Sequence, residues 1–118
     1  MENANKFGDK IRRGEVSLGT AITFVDSTVT EALCGLLDFV WIDMEHNALS
    51  LENVQAHIMA TKGSDTTSLV RVPWNDPVLI KPVLDIGADG IIVPLVRTAD
   101  DVRGLGMTRS AHQVHGAR

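Results

Sequence analysis

The stretch Asp38-Phe39-Val40-Trp41-Ile42-Asp43 is a continuous apolar run enclosed by two carboxylates. Runs of this kind are typical of parallel strands, because both faces of a parallel sheet are covered by other elements. Glu45 and His46 follow closely, so polar side chains begin where the predicted strand ends. The stretch therefore predicts a buried parallel strand whose carboxyl end carries ionisable groups.

Apolar runs and helical patterns alternate on both sides of this strand. Further strands are predicted over residues 16–24, 68–72 and 90–96. Helical patterns begin near Asn3, Thr28, Ser50, Asp76 and Thr98. The last helix is expected to fail early, because Gly104 and Gly106 interrupt it.

Several residues mark the helix starts. Thr28 and Glu31 fit a capping box, in which each side chain satisfies a free backbone N–H group. Ser50 can cap the next helix, and Asp76 precedes Pro77 at a favoured first helical position. These signals predict where three helices begin.

Two residues are unusual inside their predicted elements. Gly19 lies within the first strand, where glycine often marks the close approach of a ligand or another backbone. Pro82 lies within the fourth helix, where it removes one backbone hydrogen bond and should kink the helix.

The order β-α-β-α-β-α-β-α predicts an α/β protein with a parallel sheet and right-handed crossovers. Four such units make half of a (β/α)8 barrel of the TIM type, since a whole barrel takes about 250 residues. A small open sheet of four or five strands is the other architecture of this length. No linker divides the chain, and polar residues gather where strands end, which is where parallel α/β folds hold their sites.

Composition excludes several classes of function. The 118 residues are 44% hydrophobic and 22% charged, with a net charge of −4 and no basic cluster longer than Arg12-Arg13, so no nucleic-acid partner is expected. The longest apolar run, 91–96, is far shorter than the roughly 20 residues of a membrane span. The polar start lacks a signal peptide, and Cys34 stands alone. We expect a cytoplasmic protein that contacts no membrane.

Asp43, Glu45 and His46, two carboxylates and an imidazole directly after a buried strand, are the strongest candidates for chemistry. A carboxylate beside an imidazole favours a general base near neutral pH. The alternative is a solvated loop in which His46 bonds a backbone carbonyl. The two interpretations have equal support from the residues alone.

Arg71 lies inside a predicted buried strand, so it needs an anionic partner. It could clamp a substrate carboxylate or a developing oxyanion. The alternative, which the residues alone slightly favour, is a structural ion pair, for example with Glu45. Asp85 precedes a glycine at a helix end, where the dipole disfavours an anion; this is a weak signal of a functional pairing. His57 is expected at the rim of its helix and Cys34 in the core.

Four blocks of the chain resemble the HpcH/HpaI aldolases, which are metal-dependent pyruvate aldolases. They occur in order and at similar spacing, over residues 39–46, 70–73, 84–88 and 92–96. The resemblance covers about residues 5–102 and implies the amino-terminal half of a (β/α)8 barrel. It further implies an oligomeric, metal-dependent lyase that cleaves 4-hydroxy-2-oxo acids to pyruvate and an aldehyde.

The resemblance also implies roles for three residues. His46 corresponds to the catalytic base, and Asp85 to the carboxylate that raises its basicity. Arg71 corresponds to the residue that binds the substrate and stabilises charge at the pyruvate oxygen. The cofactor would be Mg²⁺, Mn²⁺ or Co²⁺, held in the family by a Glu and an Asp from later strands, which have no counterpart in this chain.

The resemblance stops after residue 103. Residues 104–118 match nothing in the family, so they are expected to be a divergent, disordered tail of the kind a frameshift or truncated gene produces. The chain would then be an inactive partial aldolase. A non-catalytic half barrel and a small open-sheet binding module are the alternatives. Its open strand edges predict dimers or aggregates.

Overall fold

The computed structural model describes residues 2–105. The helices are α1 (Glu2–Arg12), α2 (Ser27–Leu33), α3 (Leu51–Thr61) and α4 (Pro77–Asp85). The strands are β1 (Gly19–Ile22), β2 (Phe39–Asp43), β3 (Thr67–Arg71) and β4 (Gly90–Ile92). A further helical segment covers residues 99–105. Within the described part, no helix combines the length and the apolar character that crossing a bilayer requires.

The strands form one parallel sheet in the order β1-β2-β3-β4. Each strand therefore lies beside the next strand in the chain, and no strand is inserted between earlier ones. A doubly wound open sheet reverses its strand order at a switch point, whereas a barrel keeps a sequential order. The predicted four units of a (β/α)8 barrel are confirmed in this topology.

The core lies between the sheet and the helices that connect its strands. Alternate strand residues point to the helices, since side chains alternate along a strand, and those of the two middle strands are fully buried. The core residues on both sides of this interface are Ile22, Val40, Ile42, Val70, Val72, Val54, Ile58, Ile80 and Val83. The remaining strand residues form the opposite face, which is the inner face of a barrel.

Helix α1 covers the amino end of that inner face, below β2 and β3. The ring of Phe7 packs against the ring of Phe39, with 5.3 Å between their centroids. The Lys10 ammonium donates to both carboxylate oxygens of Asp38, at 2.8 and 2.9 Å. The inner face is therefore closed below its middle strands.

Gly19 allows the Phe39 ring to approach the neighbouring strand. A Cβ atom at Gly19 would overlap the Phe39 ring. The close approach predicted for this glycine is present, although an aromatic side chain makes it rather than a ligand or another backbone.

Two helix starts were predicted correctly and one was not. Ser50 forms a capping box with Asn53, and Asp76 accepts from Val78 N at 2.9 Å. The capping box predicted from Thr28 and Glu31 is wrong. Helix α2 begins at Ser27, two residues earlier than a Thr28 cap implies, because the carboxylate of Asp26 caps it by accepting from Thr28 N.

The two edge strands are shorter than predicted. Strand β1 covers only Gly19–Ile22, and β4 covers only Gly90–Ile92. Pro94 has no N–H for a ladder, and Leu95 turns the chain with a φ of 59°. The last helical segment covers residues 99–105 and so passes Gly104, whereas Gly106, the second glycine expected to interrupt it, lies outside the described residues. The rest of the predicted tail, residues 106–118, lies outside the described residues.

His57 is buried, so its prediction as a rim residue is wrong. Its Nε2 lies 2.9 Å from the Phe24 carbonyl oxygen, which can only accept, so Nε2 carries the proton. Its Nδ1 then accepts from the Thr30 hydroxyl at 2.8 Å. Because both ring nitrogens are paired, the imidazole can be buried between α2 and α3 without an unsatisfied group.

Candidate active site

An aspartate and an arginine form an ion pair at the carboxyl ends of β2 and β3. Asp43 and Arg71 are the last residues of their strands and are register partners. Arg71 donates from Nε to Asp43 Oδ1 at 2.9 Å and from Nη2 to Oδ2 at 2.8 Å. This two-point geometry is the strong form of an arginine–carboxylate pair.

The buried carboxylate of Asp43 also organises the loop after β2. It accepts from the backbone N–H of Glu45 at 3.0 Å and from Asn47 Nδ2 at 2.9 Å. The hydrogen bonds from Arg71 lower the pKa of Asp43 to about 2, against the opposing effect of burial. Asp43 is therefore ionised at neutral pH and ties the loop to the end of β3.

Arg71 has two further neighbours. Its Nε lies 3.1 Å from Glu45 Oε2, and its Cζ lies 4.5 Å from the centroid of the Trp41 ring. Hydrogen bonding to Asp43 raises the pKa of Arg71 further above its ordinary value. The structural ion pair predicted as one interpretation of Arg71 is present, with Asp43 as its main partner and Glu45 as the second. The guanidinium is held over an aromatic face between two carboxylates.

His46 lies beside this group and is open to solvent. Its Nε2 is 3.5 Å from Glu45 Oε2, and its side chain is 66% exposed while that of Glu45 is 16% exposed. Glu45 therefore stands between the imidazole and the guanidinium. An exposed imidazole next to a carboxylate can exchange protons with a molecule that enters from the solvent side.

Asp85 lies near the amino ends of the strands, opposite the end that carries His46 and Arg71. It is the last residue of α4 and pairs with Lys81 at 2.8 Å. A few residues later, Asp89 N donates to the carbonyl oxygen of Ser68, near the start of β3. The end of α4 is thus at the amino edge, whereas His46 and Arg71 are at the carboxyl edge. Within this chain, His46 and Arg71 come together and Asp85 does not join them, contrary to the predicted convergence of all three.

Trp41 is the site residue that sequence reasoning missed, and the pairing of Asp43 with Arg71 was missed as well. Asp43 was expected only as one of the ionisable groups after the strand, and Trp41 only as a residue of the apolar run. Their contacts with Arg71 depend on the register of β2 against β3. The available signal was the buried arginine itself, which requires a partner on a neighbouring strand.

The described residues do not fit a divalent metal. Among residues 2–105, no three His, Cys, Asp or Glu side chains are grouped so that they could hold one. Asp43 and Glu45 both face the guanidinium of Arg71, which competes for the oxygens that a hard cation needs.

Fold and site together define a class: a parallel (β/α) half barrel with acid–base groups at the carboxyl ends of its strands. The family model for HpcH/HpaI aldolase/citrate lyase matches residues 25–115. The chain therefore belongs to the HpcH/HpaI aldolase family, which is generally metal-dependent. The matched region enters the segment 104–118, and a domain boundary at residue 103 stays a prediction.

Curated relatives are longer than this chain. It is 34% identical over 100 residues to the 4-hydroxy-2-oxo-heptane-1,7-dioate aldolase of Salmonella dublin, covering 84% of this chain and 38% of the relative. It is 38% identical over 105 residues to the 5-keto-4-deoxy-D-glucarate aldolase of Klebsiella pneumoniae, covering 85% and 41%. The chain thus spans about two fifths of the length of these relatives.

Solved structures agree with the fold. An HpcH/HpaI aldolase/citrate lyase family protein from Burkholderia cenocepacia superposes with a TM-score of 0.79 at 28% identity, covering 88% of this chain and 42% of that one. Macrophomate synthase superposes with a TM-score of 0.74 at 31% identity, covering 86% and 36%.

Proposed function

We propose that this chain carries the acid–base part of a pyruvate aldolase site. The reaction is the reversible cleavage of a 4-hydroxy-2-oxo acid to pyruvate and an aldehyde. The observation that carries the proposal is the group at the carboxyl edge, in which Glu45 lies 3.5 Å from His46 Nε2 and 3.1 Å from Arg71 Nε. A proton acceptor and a fixed positive charge then face the same space.

His46 acts as the base in this proposal. It takes the proton from the C4 hydroxyl of the substrate, the C3–C4 bond breaks, and the aldehyde leaves. The bonding electrons move to the C2 carbonyl oxygen, which gives the enolate of pyruvate. A proton returned to C3 completes pyruvate, and the reverse steps form the carbon–carbon bond.

Arg71 stabilises the enolate oxygen. Asp43 holds the Nε and Nη2 side of the guanidinium, so the Nη1 end is the part that can donate to the substrate. Because the guanidinium is already oriented, it need not reorganise as charge develops. The metal that the family uses would add positive charge there, but no step above depends on it, since the described residues do not fit one.

Asp85 can raise the basicity of His46 only from a neighbouring chain. It lies at the amino edge of its own sheet, the length of a strand away from His46. The role assigned by the family resemblance therefore requires an oligomer that brings α4 of one copy to the carboxyl edge of another.

A non-catalytic half barrel is the second candidate. The absence of a metal-binding group among residues 2–105 favours it. It predicts that the 118-residue chain releases no pyruvate above background under any condition.

A chimera separates the two. Residues 1–103 would be joined to the later strands of the Klebsiella relative, and pyruvate release from 4-hydroxy-2-oxo acids would be measured with Mg²⁺, Mn²⁺ or Co²⁺ and with a chelator. We expect cleavage that the chelator abolishes. His46→Ala should lower turnover by about 10²–10⁴-fold, whereas Gln55→Ala, on the exposed side of α3, should leave it unchanged. A folded chimera without turnover, or an unchanged rate in His46→Ala, rejects the proposed role.

A further inference from the structure

The indole ring of Trp41 lies beneath the guanidinium of Arg71. Trp41 precedes Asp43 by two residues in β2, so both side chains project from the same face of the sheet. Arg71 is the register partner of Asp43, and its Cζ lies 4.5 Å from the centroid of the indole ring. The side chain of Arg71 is only 20% exposed, so this contact is largely shielded from water. Shielding strengthens the attraction between a cation and an aromatic face.

The indole nitrogen shows that hydrogen bonding does not account for this tryptophan. Its Nε1 is buried and has no hydrogen-bond partner among residues 2–105. A buried N–H group without an acceptor lowers the stability of a fold. Leucine or phenylalanine would fill the same space without an unpaired donor. Since tryptophan offers a cation the strongest aromatic face, the contact with Arg71 accounts for a residue that hydrogen bonding disfavours.

Trp41 and Asp43 restrain the guanidinium in different directions. The two hydrogen bonds to Asp43 fix one edge of the group, through Nε and Nη2. The group can still swing about that edge. The indole ring lies beneath Cζ, so it limits how far the guanidinium can move toward the sheet. The two residues together determine where Nη1, the end that Asp43 leaves free, is directed.

We propose that Trp41 is a positioning residue of this site. In this role it touches no reacting atom and acts through Arg71, whose Nη1 it directs to the oxygen on which negative charge develops. This inference rests on the proposed aldolase function, in which Arg71 stabilises the enolate. A guanidinium that is already oriented need not reorganise as charge develops. Loss of the orientation therefore slows the chemical step more than it weakens substrate binding.

NMR of the ¹⁵N-labelled 118-residue chain tests the orientation without any turnover. We expect the Nε–H signal of Arg71, identified by its loss in Arg71→Lys, to be shifted upfield by the ring current of Trp41. Trp41→Leu should move the signal downfield and broaden it, because the guanidinium is then held only along one edge. Trp74→Leu is the matched control: it removes the other tryptophan, which is 57% exposed in the loop after β3, and should leave the signal in place. An Arg71 signal that Trp41→Leu does not move overturns the inference.

The chimera with the Klebsiella relative tests the catalytic consequence. Trp41→Leu should lower kcat by about 2–30-fold, the range that a contact of this kind supplies, with a smaller change in KM. In an Arg71→Lys background the same substitution should change kcat by less than about twofold, because lysine has no planar group for the ring to orient. Trp41→Phe keeps an aromatic face and should recover part of the loss.

The outcomes separate this inference from the function on which it rests. A loss of kcat that depends on Arg71, together with the shifted Arg71 signal, supports the positioning role. An equal loss of kcat in both backgrounds means that Trp41 contributes packing alone, and overturns the role. A folded chimera without turnover rejects the aldolase function instead, and the Arg71 signal then decides whether Trp41 orients the guanidinium.

Discussion

Asp43 and Arg71 end neighbouring strands as register partners, and two hydrogen bonds of 2.9 and 2.8 Å join them. The same carboxylate accepts from the backbone of Glu45, so a single side chain fixes the end of β3 and the loop that carries His46. The positions of the two groups proposed to act on substrate therefore both depend on Asp43.

Asp43→Asn should destabilise the fold by about 2–3 kcal/mol. The amide keeps the size of the side chain but loses its charge and one acceptor, and hydrogen bonds between charged groups contribute more than neutral ones. Urea unfolding at one fixed protein concentration measures the effect. Asp9→Asn, which breaks the exposed pair with Arg12, should cost less than about 1 kcal/mol. Equal losses in both variants would contradict a central role for Asp43.

Acid should remove the contribution of Asp43 to the free energy of unfolding within a defined pH range. Its pKa is about 2 in the folded protein against an ordinary 3.8, so the folded state binds this proton less readily than the unfolded state. The stabilisation is complete well above pH 3.8 and disappears as the pH falls toward 2. The hydrogen bond from Lys10 also lowers the pKa of Asp38, so its stabilisation too is lost in acid. Asp43→Asn should therefore flatten the acid limb of stability against pH, without abolishing it. Parallel curves for the two proteins would contradict the assignment.

The order of elements was readable from the sequence because it depends on local patterns. Apolar runs and caps such as Ser50 lie within a few residues of one another, and they were read correctly. The lengths of β1 and β4 were overestimated, because no further strand among residues 2–105 pairs with their outer sides. The sequence pattern predicted a cap at Thr28, but the carboxylate of Asp26 is a stronger acceptor and caps α2 instead.

The candidate site could be predicted only in part, because its contacts join residues that are far apart in the sequence. An arginine in a buried strand predicts an anionic partner, but only the register of β2 against β3 identifies that partner as Asp43. Asp85 was expected at the site from the family resemblance, although its place at the end of a helix already assigns it to the amino edge of the sheet. Its proposed role therefore calls for a second chain.

Trp41 should be energetically coupled to Arg71. The guanidinium lies 4.5 Å from the ring centroid, and such contacts contribute about 0.5–2 kcal/mol where they are partly shielded from water. A double-mutant cycle of Trp41→Leu with Arg71→Ala, followed by urea unfolding, isolates this term from the packing that each variant loses. Trp41→Phe should keep part of the coupling. A coupling energy within error of zero would show that the ring only fills space.

His57 should tolerate glutamine and reject leucine. The imidazole donates from Nε2 to the Phe24 carbonyl oxygen and accepts at Nδ1 from the Thr30 hydroxyl, so it joins α3 to α2 and to the loop after β1. Glutamine also offers one donor and one acceptor, whereas leucine has a similar volume but neither. Leucine would leave a buried hydroxyl and a carbonyl unpaired, and each such group costs about 1–3 kcal/mol. We therefore expect His57→Gln to lower the free energy of unfolding by less than half as much as His57→Leu. Thr30→Val supplies the control, because it removes the hydroxyl and keeps the shape: in that background the cost of His57→Leu should shrink. If leucine is as stable as histidine in the native background, the buried imidazole contributes packing alone.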